Sequence, residues 1–520
     1  AALIMLGCEP GVLHRYGSEY GLPPADEIIL TPWGLSQEGE LQGAVDWDAF
    51  RADVVRAAES VDAFALSAQW GIKNPAFERE ACRLVEQWTG RRVICAGELS
   101  NMPNMLKRAA TALLNARLIP IIDGFIRSIK EGLGRLGIAA PVVIVRGDGG
   151  LMTEAYASVH PVETLFSGPA ASVTGGIALS GEKDCIIVDV GGTTTDMAVA
   201  RGGDAEKSED GLSLGGFRTC TRAVRAFTVG LGGDSRIRHN TEGGLDIGPR
   251  RAVPLSHLAH LHPEVMEELR MIRQYGTFAQ VPWSEFLILQ NPDFTGFSDI
   301  REQLICRLLS ERPKSVGVLA GECDLTVYET NRAAARLEDL GVLMRAALTP
   351  TDIMHVRGIY TPFCIEAAQC GVADLAYQLE ITPDELCERI FSEFSRRIFE
   401  AVSKMLLTLR EGPVYEQMGL PLERMLRTAW QGGDRLCDLR VQTELTLVGI
   451  GAPTYVFLPA AAERFGCRWI CPEHAGVANA YGAVSGSVTA EHSLEVSPVY
   501  SAAGLEGYRV FADGAPEMFP

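Results

Sequence analysis

The stretch that decides the fold reads IIVDVGGTTTDMAVA and spans residues 186–200. Its apolar first half predicts a buried β-strand that delivers Asp189 into a tight turn containing Gly191 and Gly192. Glycines at such a turn let backbone N–H groups approach phosphate oxygens closely, because a Cβ atom would collide or block the required dihedral angles. The segment therefore predicts a strand–turn–strand that binds phosphate.

Polar side chains crowd the tip of this turn. The consecutive threonines Thr193, Thr194 and Thr195 supply hydroxyl donors, and Asp196 follows them. A carboxylate beside a polyphosphate is repulsive unless a cation lies between them, so Asp189 implies Mg²⁺ held through water molecules. The structural alternative is a plain β-hairpin with a polar tip. The threonines and the acids around Gly-Gly favour phosphate binding over that alternative.

Outward from this segment, the sequence changes character along the chain. Residues 45–145 alternate helical patterns with short apolar strands, which is typical of a largely parallel α/β sheet. Residues 257–440 are mostly helical, and RLEDLGVLMRAALTPTD within them predicts a small winged-helix-like unit. A helical insertion used for packing or assembly is favoured there over DNA binding, because the region is not basic enough for DNA.

A second glycine-rich loop, VGLGGDSRIRHN at residues 229–240, is another candidate site. Gly230, Gly232 and Gly233 can form an anion-binding nest, and Asp234 adds a carboxylate. A purely structural glycine turn explains the same residues equally well. The loop alone therefore leaves both interpretations open.

Weaker signals lie elsewhere in the chain. In VRGDGGLM, Asp148 stands between glycines at the end of a predicted strand, a suitable place for a side chain of a cleft. LTLVGIGAP places Gly449 and Gly451 after a strand, a pattern that is weak by itself. In LTPTDIMHVRG, Asp352 and His355 are spaced to share one helical face. A helix-capping aspartate and a histidine satisfied in the core are favoured there over metal or acid–base chemistry.

These motifs together resemble the actin, heat-shock chaperone and sugar-kinase superfamily, in which two ribonuclease-H-like lobes clamp ATP between two glycine hairpins. Residues 186–200 resemble its second phosphate loop. Residues 161–179 and 472–484 resemble its two interlobe connecting helices, and residues 445–453 resemble its adenosine motif. The elements follow one another in the order of that superfamily, which makes the resemblance stronger than any single motif.

Further stretches narrow the resemblance to the hydantoinase/5-oxoprolinase A-type family. They are GIKNPAFERE (71–80), RAATALLNARLIPII (108–122), VRGDGGLM (145–152), HPVETLFSGPAAS (160–172) and VGLGGDS (229–235). Members of the family include ATP-dependent N-methylhydantoinases, 5-oxoprolinases, lactamases and the ATP-using subunits of ketone carboxylases. Many relatives carry a third glycine where this chain has Asp234, so Asp234 marks a subgroup with an altered substrate end.

The resemblance implies an α/β, two-lobed actin-like ATPase fold with a mainly helical insertion. Residues 1–185 would form the first lobe, and residues 186–256 with 441–486 the second, nucleotide-binding lobe. Residues 257–440 would form the insertion, and residues 487–520 a short β-rich C-terminal segment. Family members normally open with a first phosphate hairpin of the form D-x-G-G-T-x-T-D, which does not precede residue 186 here. We therefore expect a trimmed portion of a longer protein, in preference to a natural variant that lacks half of the phosphate clamp.

The resemblance also implies the site residues. Those expected on the phosphates and the metal are Asp189, Gly191, Gly192, Thr193, Thr194 and Asp196, with Asp189 and Asp196 as the Mg²⁺ ligands. Those expected to complete the cofactor site are Gly232, Gly233, Gly449, Gly451 and Ala452, of which the last three lie beside the adenosine. The candidates for the catalytic end are Asp189, Asp234 and Asp148.

The expected activity is the ATP-dependent opening of a cyclic amide such as a hydantoin, 5-oxoproline or a lactam. ATP would phosphorylate the amide oxygen and create an activated imidate that water attacks. The expected partners are a small cyclic amide and a B-type hydantoinase subunit, within an oligomer. Two alternatives stay open: the ATP-using subunit of a ketone carboxylase, and a nucleotide-binding assembly subunit without turnover.

Composition limits the remaining function classes. The chain is 47% hydrophobic and 22% charged, as ordinary globular proteins are, and its net charge of −19 argues against a nucleic-acid surface. No apolar run approaches the roughly 18–20 residues that cross a membrane, and no secretory signal opens the chain. The 13 cysteines are scattered without a C-x-x-C pair, which predicts reduced thiols in a cytoplasmic protein and disfavours zinc binding by Cys467 and Cys471. The same scatter disfavours an iron–sulfur activase.

Overall fold

The structure is a computed structural model that describes residues 1–520 except 209, 241–243, 276–283, 413–417, 434–435, 437, 489–494, 502–503 and 512–516. The chain forms two compact units. The first comprises Ala1–Gly175, Ala205–Arg225 and Asn479–Pro520, and the second comprises Gly176–Asp204 and Ala226–Ala478. This grouping differs from the division by expected nucleotide role, because residues 205–225 belong with the first unit and the expected insertion shares the second unit with residues 186–200.

The regular elements of both units are numbered here in chain order. The strands are β1 (Ala2–Leu6), β2 (Ile29–Thr31), β3 (Gly34–Leu35), β4 (Leu41–Gln42), β5 (Ala63–Ala68), β6 (Arg92–Cys95), β7 (Val143–Val145), β8 (Leu151–Thr153), β9 (Cys185–Val190), β10 (Thr195–Arg201), β11 (Asp204–Ala205), β12 (Ser213–Leu214), β13 (Phe217–Arg218), β14 (Phe227–Val229), β15 (Ser235–His239), β16 (Leu245–Arg251), β17 (Val253–Pro254), β18 (Phe286–Leu289), β19 (Lys314–Ser315), β20 (Leu343–Ala347), β21 (Thr446–Ile450), β22 (Trp469–Ile470), β23 (Glu495–Ser501), β24 (Gly504–Phe511) and β25 (Glu517–Phe519). The α-helices are α1 (Pro10–Tyr16), α2 (Trp47–Ala57), α3 (Pro75–Thr89), α4 (Ala96–Leu99), α5 (Met105–Arg135), α6 (Glu154–Val159), α7 (Ser167–Ser180), α8 (Leu255–Leu261), α9 (Val265–Tyr275), α10 (Ile300–Leu309), α11 (Val316–Glu322), α12 (Val327–Asp339), α13 (Pro350–Val356), α14 (Ile365–Gln378), α15 (Pro383–Glu411), α16 (Gly419–Gln431), α17 (Thr454–Phe465) and α18 (Ala478–Ser485).

A parallel sheet of order β2–β1–β5–β6 organises the first unit. Successive residues of a strand point to opposite faces of a sheet. Leu3 and Met5 of β1 accordingly pack with the buried residues of α5, whereas Ile4 and Leu6 pack with those of α2 and α3. Apolar residues at every position of β1 are therefore needed, because both faces are covered. The parallel α/β sheet predicted for residues 45–145 is confirmed for β5 and β6, whereas β7 pairs antiparallel with β8 in a separate two-stranded sheet.

Helix α5 is the long amphipathic helix that the sequence predicts. It begins after Asn104, whose side chain accepts a hydrogen bond from the Lys107 amide at 3.0 Å. Within the described part of the chain, α5 alone is long and apolar enough to cross a membrane, so the expectation that no segment reaches that length is corrected. Half of its most apolar window is buried in the structure. Length and composition alone therefore do not make α5 a membrane span.

Two stretches that carry the family resemblance meet in the core of the first unit. Glu78 of α3 and Arg108 of α5 are both almost completely buried, and Arg108 Nη1 lies 3.8 Å from Glu78 Oε2. Glu78 also accepts hydrogen bonds from the Ala68 and Gly97 amides at 3.0 and 2.6 Å. Arg108 Nη2 donates to the Ala68 carbonyl oxygen at 2.9 Å. In this structure these motif residues hold β5, α3 and α5 together.

The second unit is built on a mixed sheet with β9 in its interior. Strand β9 pairs antiparallel with β10 and parallel with β21, and β21 pairs parallel with β22. Strand β14 also pairs antiparallel with β10. Ile186, Val188 and Val190 of β9 are completely buried in a core shared with α15 and α17. The strand–turn–strand predicted for residues 186–200 is therefore confirmed.

The segment predicted to be mostly helical contains more sheet than expected. Strands β17, β20, β18 and β19 form a sheet in that order. Helices α10, α11 and α12 pack on it through a small apolar core that includes Ile305, Leu319 and Leu337. This α/β arrangement occupies the stretch for which a winged-helix-like unit is predicted.

Small residues allow α7 and α18, the expected connecting helices, to touch. A Cβ atom on Gly482 of α18 would lie 1.9 Å from the Ala171 carbonyl oxygen and 2.6 Å from the Gly175 amide nitrogen of α7. Asn479 Nδ2 also donates to the Gly168 carbonyl oxygen at 2.9 Å. Close packing therefore requires the glycine at position 482.

Candidate functional site

Two carboxylates face each other at the end of the β9–β10 hairpin. Asp189 is directly opposite Asp196 in the antiparallel register, so both side chains project from the same face of the sheet. The Thr228 hydroxyl, on β14, donates to Asp196 Oδ1 at 2.5 Å. Burial raises the pKa of Asp196, and the hydrogen bond from Thr228 partly opposes this increase. Like charges in such positions repel each other, and a divalent cation would relieve the repulsion.

The turn after β9 exposes backbone donors. The Gly191 N–H donates to the Thr194 carbonyl oxygen at 2.9 Å, which closes the turn. The amides of Gly192 and Thr193 donate to no residue that the structure describes, and both residues are exposed. These two amides and the Thr193 hydroxyl can therefore bind an anion.

Thr195 does not offer its hydroxyl to a phosphate, so the expectation that all three consecutive threonines do so is corrected. The residue is completely buried, and its hydroxyl donates to the Leu231 carbonyl oxygen at 2.7 Å. Its role is to attach the second glycine-rich loop to the hairpin. Only the hydroxyls of Thr193 and Thr194 stay at the turn.

The second glycine-rich loop, residues 229–240, donates backbone hydrogen bonds to the turn after β9. The Gly233 N–H donates to the Gly191 carbonyl oxygen at 2.9 Å, and the Asp234 N–H donates to the Gly192 carbonyl oxygen at 2.7 Å. The Gly232 N–H donates to the hydroxyl of the serine that begins β15, at 2.8 Å. A Cβ atom on Gly232 would lie 2.4 Å from the Gly192 carbonyl oxygen. The expected anion nest is corrected here, because these amides already have acceptors and the glycines serve close backbone packing.

The Asp234 carboxylate lies over the tip of the turn. Its Oδ2 atom would be 2.9 Å from a Cβ atom on Gly192. Arg251 donates to the same oxygen from Nη2 at 3.1 Å and from Nε at 3.3 Å, and the Thr351 hydroxyl is 3.5 Å from Oδ1. The β15–β16 hairpin brings Arg251 to this place, because Ser235 pairs with Arg251 in its register.

A third loop, after β21, packs against the end of β9. Gly451 has a φ of +85°, which disfavours any side chain. A Cβ atom there would lie 2.2 Å from the Val190 carbonyl oxygen and 2.9 Å from Asp189 Oδ1. Gly449 is different, because a Cβ atom on it would meet Thr454 Cγ2 at 2.4 Å. Its absent side chain therefore lets α17 pack on the sheet.

The three loops line one cavity of about 780 Å³ within the second unit. The residues of the three loops that line it are Asp189, Gly191, Gly192, Gly233, Asp234, Gly451 and Ala452. The apolar side chains in the lining include Leu258, Leu261, Ile288, Met344, Met354 and Phe363. The volume lies within the range of roughly 300–1,000 Å³ that small-molecule and cofactor sites occupy.

Other predicted site residues lie outside the lining of this cavity. Three of those in the second unit, Thr193, Thr194 and Asp196, belong to the hairpin itself. The other two are Gly232, which packs against the backbone of the turn, and Gly449, which packs against α17. Asp148 belongs to the first unit, where it accepts a hydrogen bond from the Gly150 amide at 2.9 Å and pairs with Arg146 at 3.4 Å. The role of Asp148 at the reacting end stays a prediction.

The helix-capping interpretation of Asp352 is confirmed. Thr349 is the N-cap residue of α13, and the Asp352 carboxylate accepts hydrogen bonds from the Thr349 amide and hydroxyl, both at 3.0 Å. The carboxylate also accepts from the Leu255 and Ser256 amides at 3.1 and 2.8 Å, which ties α8 to α13. Buried His355 is satisfied as well, with one ring nitrogen 2.8 Å from a backbone carbonyl oxygen and the other 3.2 Å from a backbone amide.

The donor set at the hairpin fits Mg²⁺ only in the presence of a phosphate ligand. Across the described ranges, no three His, Cys, Asp or Glu side chains lie close enough together to hold a metal ion by themselves. Mg²⁺ keeps several water molecules and is usually held by one or two carboxylates together with substrate phosphates. The Asp189–Asp196 pair meets that requirement.

Sequence reasoning missed several residues of the cavity. Arg251 is one of them, because a register shift between Ser235 and Ile237 of β15, which no sequence motif indicates, brings it next to Asp234. His257 and Phe363, which also line the cavity, stack with ring centroids 4.6 Å apart. These two residues lie on α8 and in the segment before α14, so only tertiary packing brings them together.

Known proteins share parts of this sequence. A model of the hydantoinase/oxoprolinase family matches residues 108–260. The chain is 29% identical over 250 residues to caprolactamase subunit alpha of Pseudomonas jessenii, covering 46% of this chain and 36% of that protein. It is 30% identical over 183 residues to 5-oxoprolinase 1 of Arabidopsis thaliana, covering 34% of this chain and 14% of that protein. Residues 108–260 are therefore similar to the hydantoinase/oxoprolinase family, and the matches span only a minor part of the length of these relatives.

Two solved structures have a similar fold over nearly all of this chain. The ATP-dependent caprolactamase from Pseudomonas jessenii aligns with a TM-score of 0.57 and 16% identity, covering 96% of this chain and 60% of that one. Nucleotide-free acetone carboxylase aligns with a TM-score of 0.54 and 14% identity, with the same coverages of 96% and 60%. At these identities the likeness shows the mixed α/β fold alone.

Proposed function

We propose that this chain is the ATP-using part of an enzyme that opens a cyclic amide by phosphorylating its amide oxygen. The observation that carries the proposal is the convergence of three loops on one cavity: the turn after β9, the loop before β15 and the loop after β21. Relatives named caprolactamase and 5-oxoprolinase support a cyclic amide as substrate. The caprolactamase described as ATP-dependent supports nucleotide use.

The actin-like, two-lobed ATPase fold is part of this proposal. Its support is the sheet of the second unit, in which an antiparallel hairpin is followed by the parallel strands β21 and β22. The glycine turn lies at the end of that hairpin, where the superfamily binds phosphate. The contact between α7 and α18 supports their assignment as the connecting helices.

Within this proposal each loop has its own task. The exposed amides of Gly192 and Thr193 orient the phosphates, with the hydroxyls of Thr193 and Thr194 beside them. Asp189 and Asp196 would hold Mg²⁺, which neutralises phosphate charge when it is bound. Gly451 and the following alanine would lie beside the adenosine. The apolar side chains of the lining are suited to the base, because they offer aromatic and aliphatic surface.

The reaction that this site would serve is a phosphoryl transfer followed by a hydrolysis. The amide oxygen attacks the terminal phosphorus of ATP, an O–P bond forms, and the bond to the ADP oxygen breaks. Water then adds to the activated carbon and the C–N bond breaks, which releases the amine end of the ring and leaves an acyl phosphate. A second water molecule hydrolyses the acyl phosphate to the carboxylate and phosphate. Positioning and electrostatic stabilisation supply most of the catalysis in such transfers. Asp234, whose carboxylate lies over Gly192, is the candidate nearest to the transferred group, and Asp148 is proposed for the same end.

The remaining parts of the proposal concern partners and location. The relative named as a subunit alpha supports a second subunit, which we propose to be a B-type hydantoinase subunit within an oligomer. We also propose a cytoplasmic location, because the scattered cysteines lack any disulfide pattern. The fold likeness to acetone carboxylase favours one alternative, an ATP-using ketone carboxylase subunit that phosphorylates an enolate oxygen.

The testing experiment is phosphate release from ATP by the full-length gene product with its B-type partner. Hydantoin, 5-oxoproline, 2-pyrrolidinone and caprolactam are added singly, and acetone is added with and without bicarbonate. Release stimulated by a cyclic amide without bicarbonate, together with the ring-opened product, would support the amidohydrolase. Release that requires a ketone and bicarbonate would select the carboxylase instead. No stimulation by either class would refute both reactions.

A further inference from the structure

The cavity of the second unit concentrates negative charge around a single permanent cation. Among the described residues that line it, the acids are Asp189 and Asp234, and Arg251 is the only arginine or lysine. Asp196 lies directly opposite Asp189 and adds a third carboxylate close by. A triphosphate would bring several more negative charges into this place. Apart from the proposed Mg²⁺, the described lining residues offer a permanent positive charge to the phosphates at one position only.

Arg251 is held beside the phosphate turn by Asp234. Its Nη2 and Nε atoms donate to one carboxylate oxygen of Asp234, at 3.1 and 3.3 Å, and that oxygen would lie 2.9 Å from a Cβ atom on Gly192. Nη1 donates to no described residue. The Arg251 side chain is 54% exposed, whereas that of Asp234 is 19% exposed. The guanidinium group therefore has both a free donor edge and room to turn toward a ligand at Gly192.

We propose that Arg251 binds the terminal phosphate oxygens of ATP and that Asp234 positions Arg251 for this contact. The inference rests on the proposed function, because it takes ATP as the ligand of the turn. A planar guanidinium presents paired N–H donors that match phosphate oxygens, so Arg251 can donate to phosphate while Asp234 retains one of its edges. Before ATP binds, Asp234 compensates the charge of Arg251.

This assignment makes Arg251 a determinant of phosphate number. AMP shares the base and ribose of ATP but lacks the terminal phosphates, so it would not reach the guanidinium. Removing a charge-assisted hydrogen-bond donor should weaken ATP binding about 10- to 100-fold. AMP binding should change by less than about threefold, because none of its groups lies at Arg251. A merely structural role of Arg251 would weaken both nucleotides alike.

The adjacent residue supplies a matched control. Arg250 has nearly the same side-chain exposure as Arg251, 57%, and forms its ion pair with Asp339 at 3.1 Å. It does not belong to the described lining of the nucleotide cavity. Arg250→Gln therefore removes an equal charge from the next position of the same strand.

The experiment measures Kd for ATP, ADP and AMP with Mg²⁺ by titration calorimetry on the full-length protein. Its variants are Arg251→Gln, Arg251→Lys and Arg250→Gln, with unfolding temperatures recorded for each. We expect a selective loss of ATP affinity in Arg251→Gln, a partial recovery in Arg251→Lys and wild-type behaviour in Arg250→Gln. Equal ATP affinity of Arg251→Gln and wild type would overturn this inference while leaving ATP binding itself established. Absence of ATP binding in the wild type would refute the proposed function and this inference together.

A double variant tests the positioning role of Asp234. If Asp234 acts through Arg251, the variant carrying both Asp234→Asn and Arg251→Gln should bind ATP about as weakly as Arg251→Gln alone. Full additivity of the two single effects would show that Asp234 acts independently and would overturn its assignment as the positioning residue.

Discussion

Replacing Gly232 with alanine would place a methyl group 2.4 Å from the Gly192 carbonyl oxygen, 2.5 Å from the Gly192 carbonyl carbon and 2.7 Å from the Gly191 carbonyl oxygen. All three are backbone atoms, so no side-chain rotation relieves the clash and the loop must move away from the turn. Overpacking of this kind costs about 1–3 kcal/mol. Each of the two backbone hydrogen bonds between the loops contributes about 0.5–1.5 kcal/mol.

Together these terms predict that Gly232→Ala lowers the free energy of unfolding by about 2–6 kcal/mol. ATP affinity should fall as well, because the turn loses its support. Urea unfolding and nucleotide calorimetry measure the two effects. Gly321→Ala is the control, since Gly321 lies exposed in α11 and a Cβ atom there meets nothing within 4 Å. Unfolding of Gly232→Ala at the wild-type urea concentration, with unchanged ATP binding, would refute the inferred packing of the two loops.

Three further predictions address the hairpin and the first unit. Burial raises the pKa of Asp196, so protons should compete with Mg²⁺ at a higher pH than at an ordinary aspartate. Mg²⁺-dependent ATP binding should therefore weaken as the pH falls through that raised pKa. Calorimetry across a pH series should show that ATP affinity depends less on pH in Asp196→Asn than in the wild type. The same pH dependence in both proteins would count against Asp196 as a metal ligand. Arg108→Met would leave the carboxylate of Glu78 buried without the Arg108 guanidinium and should lower the free energy of unfolding, measured in urea, by about 3–5 kcal/mol. A loss below about 1 kcal/mol would show that this pair does not stabilise the first unit. Gly482→Ala would force a Cβ atom to 1.9 Å from a carbonyl oxygen and should lower the free energy of unfolding by about 1–3 kcal/mol. Gly168→Ala, where a Cβ atom meets nothing within 4 Å, should unfold like the wild type. Equal stabilities of the two variants would contradict the contact between α7 and α18.

The strand–turn–strand of residues 186–200 was predictable because its information is local. An apolar run that ends in Asp189 and a Gly-Gly pair specifies a strand and a turn within a few residues. The antiparallel register then follows from the hairpin, and it places Asp196 opposite Asp189. The capping role of Asp352 was predictable for the same reason, since its partner Thr349 is three residues away.

Other features could not be predicted because they depend on contacts between distant segments. Thr195 and Gly232 look like phosphate-binding residues in the sequence, but the structure uses them to join the loop to the turn. The grouping of residues 205–225 with the first unit depends on contacts between distant positions. One of them is the hydrogen bond that the Cys220 amide donates to Thr111 Oγ1 at 2.8 Å, across 109 positions of the chain. No periodicity in the sequence carries information about such a pairing.

The most direct test of the proposed nucleotide site is Mg²⁺-dependent ATP binding to the full-length protein and to Asp189→Ala, measured by titration calorimetry. Asp184→Ala is the matched control, because Asp184 is an exposed acid just before the same strand and accepts a hydrogen bond from the Gly202 amide at 3.0 Å. We predict that the wild type and Asp184→Ala bind ATP alike, and that Asp189→Ala loses at least about tenfold in affinity when Mg²⁺ is present. ATP binding that is unaffected by Asp189→Ala, or no ATP binding by the wild type, would contradict the proposed nucleotide site.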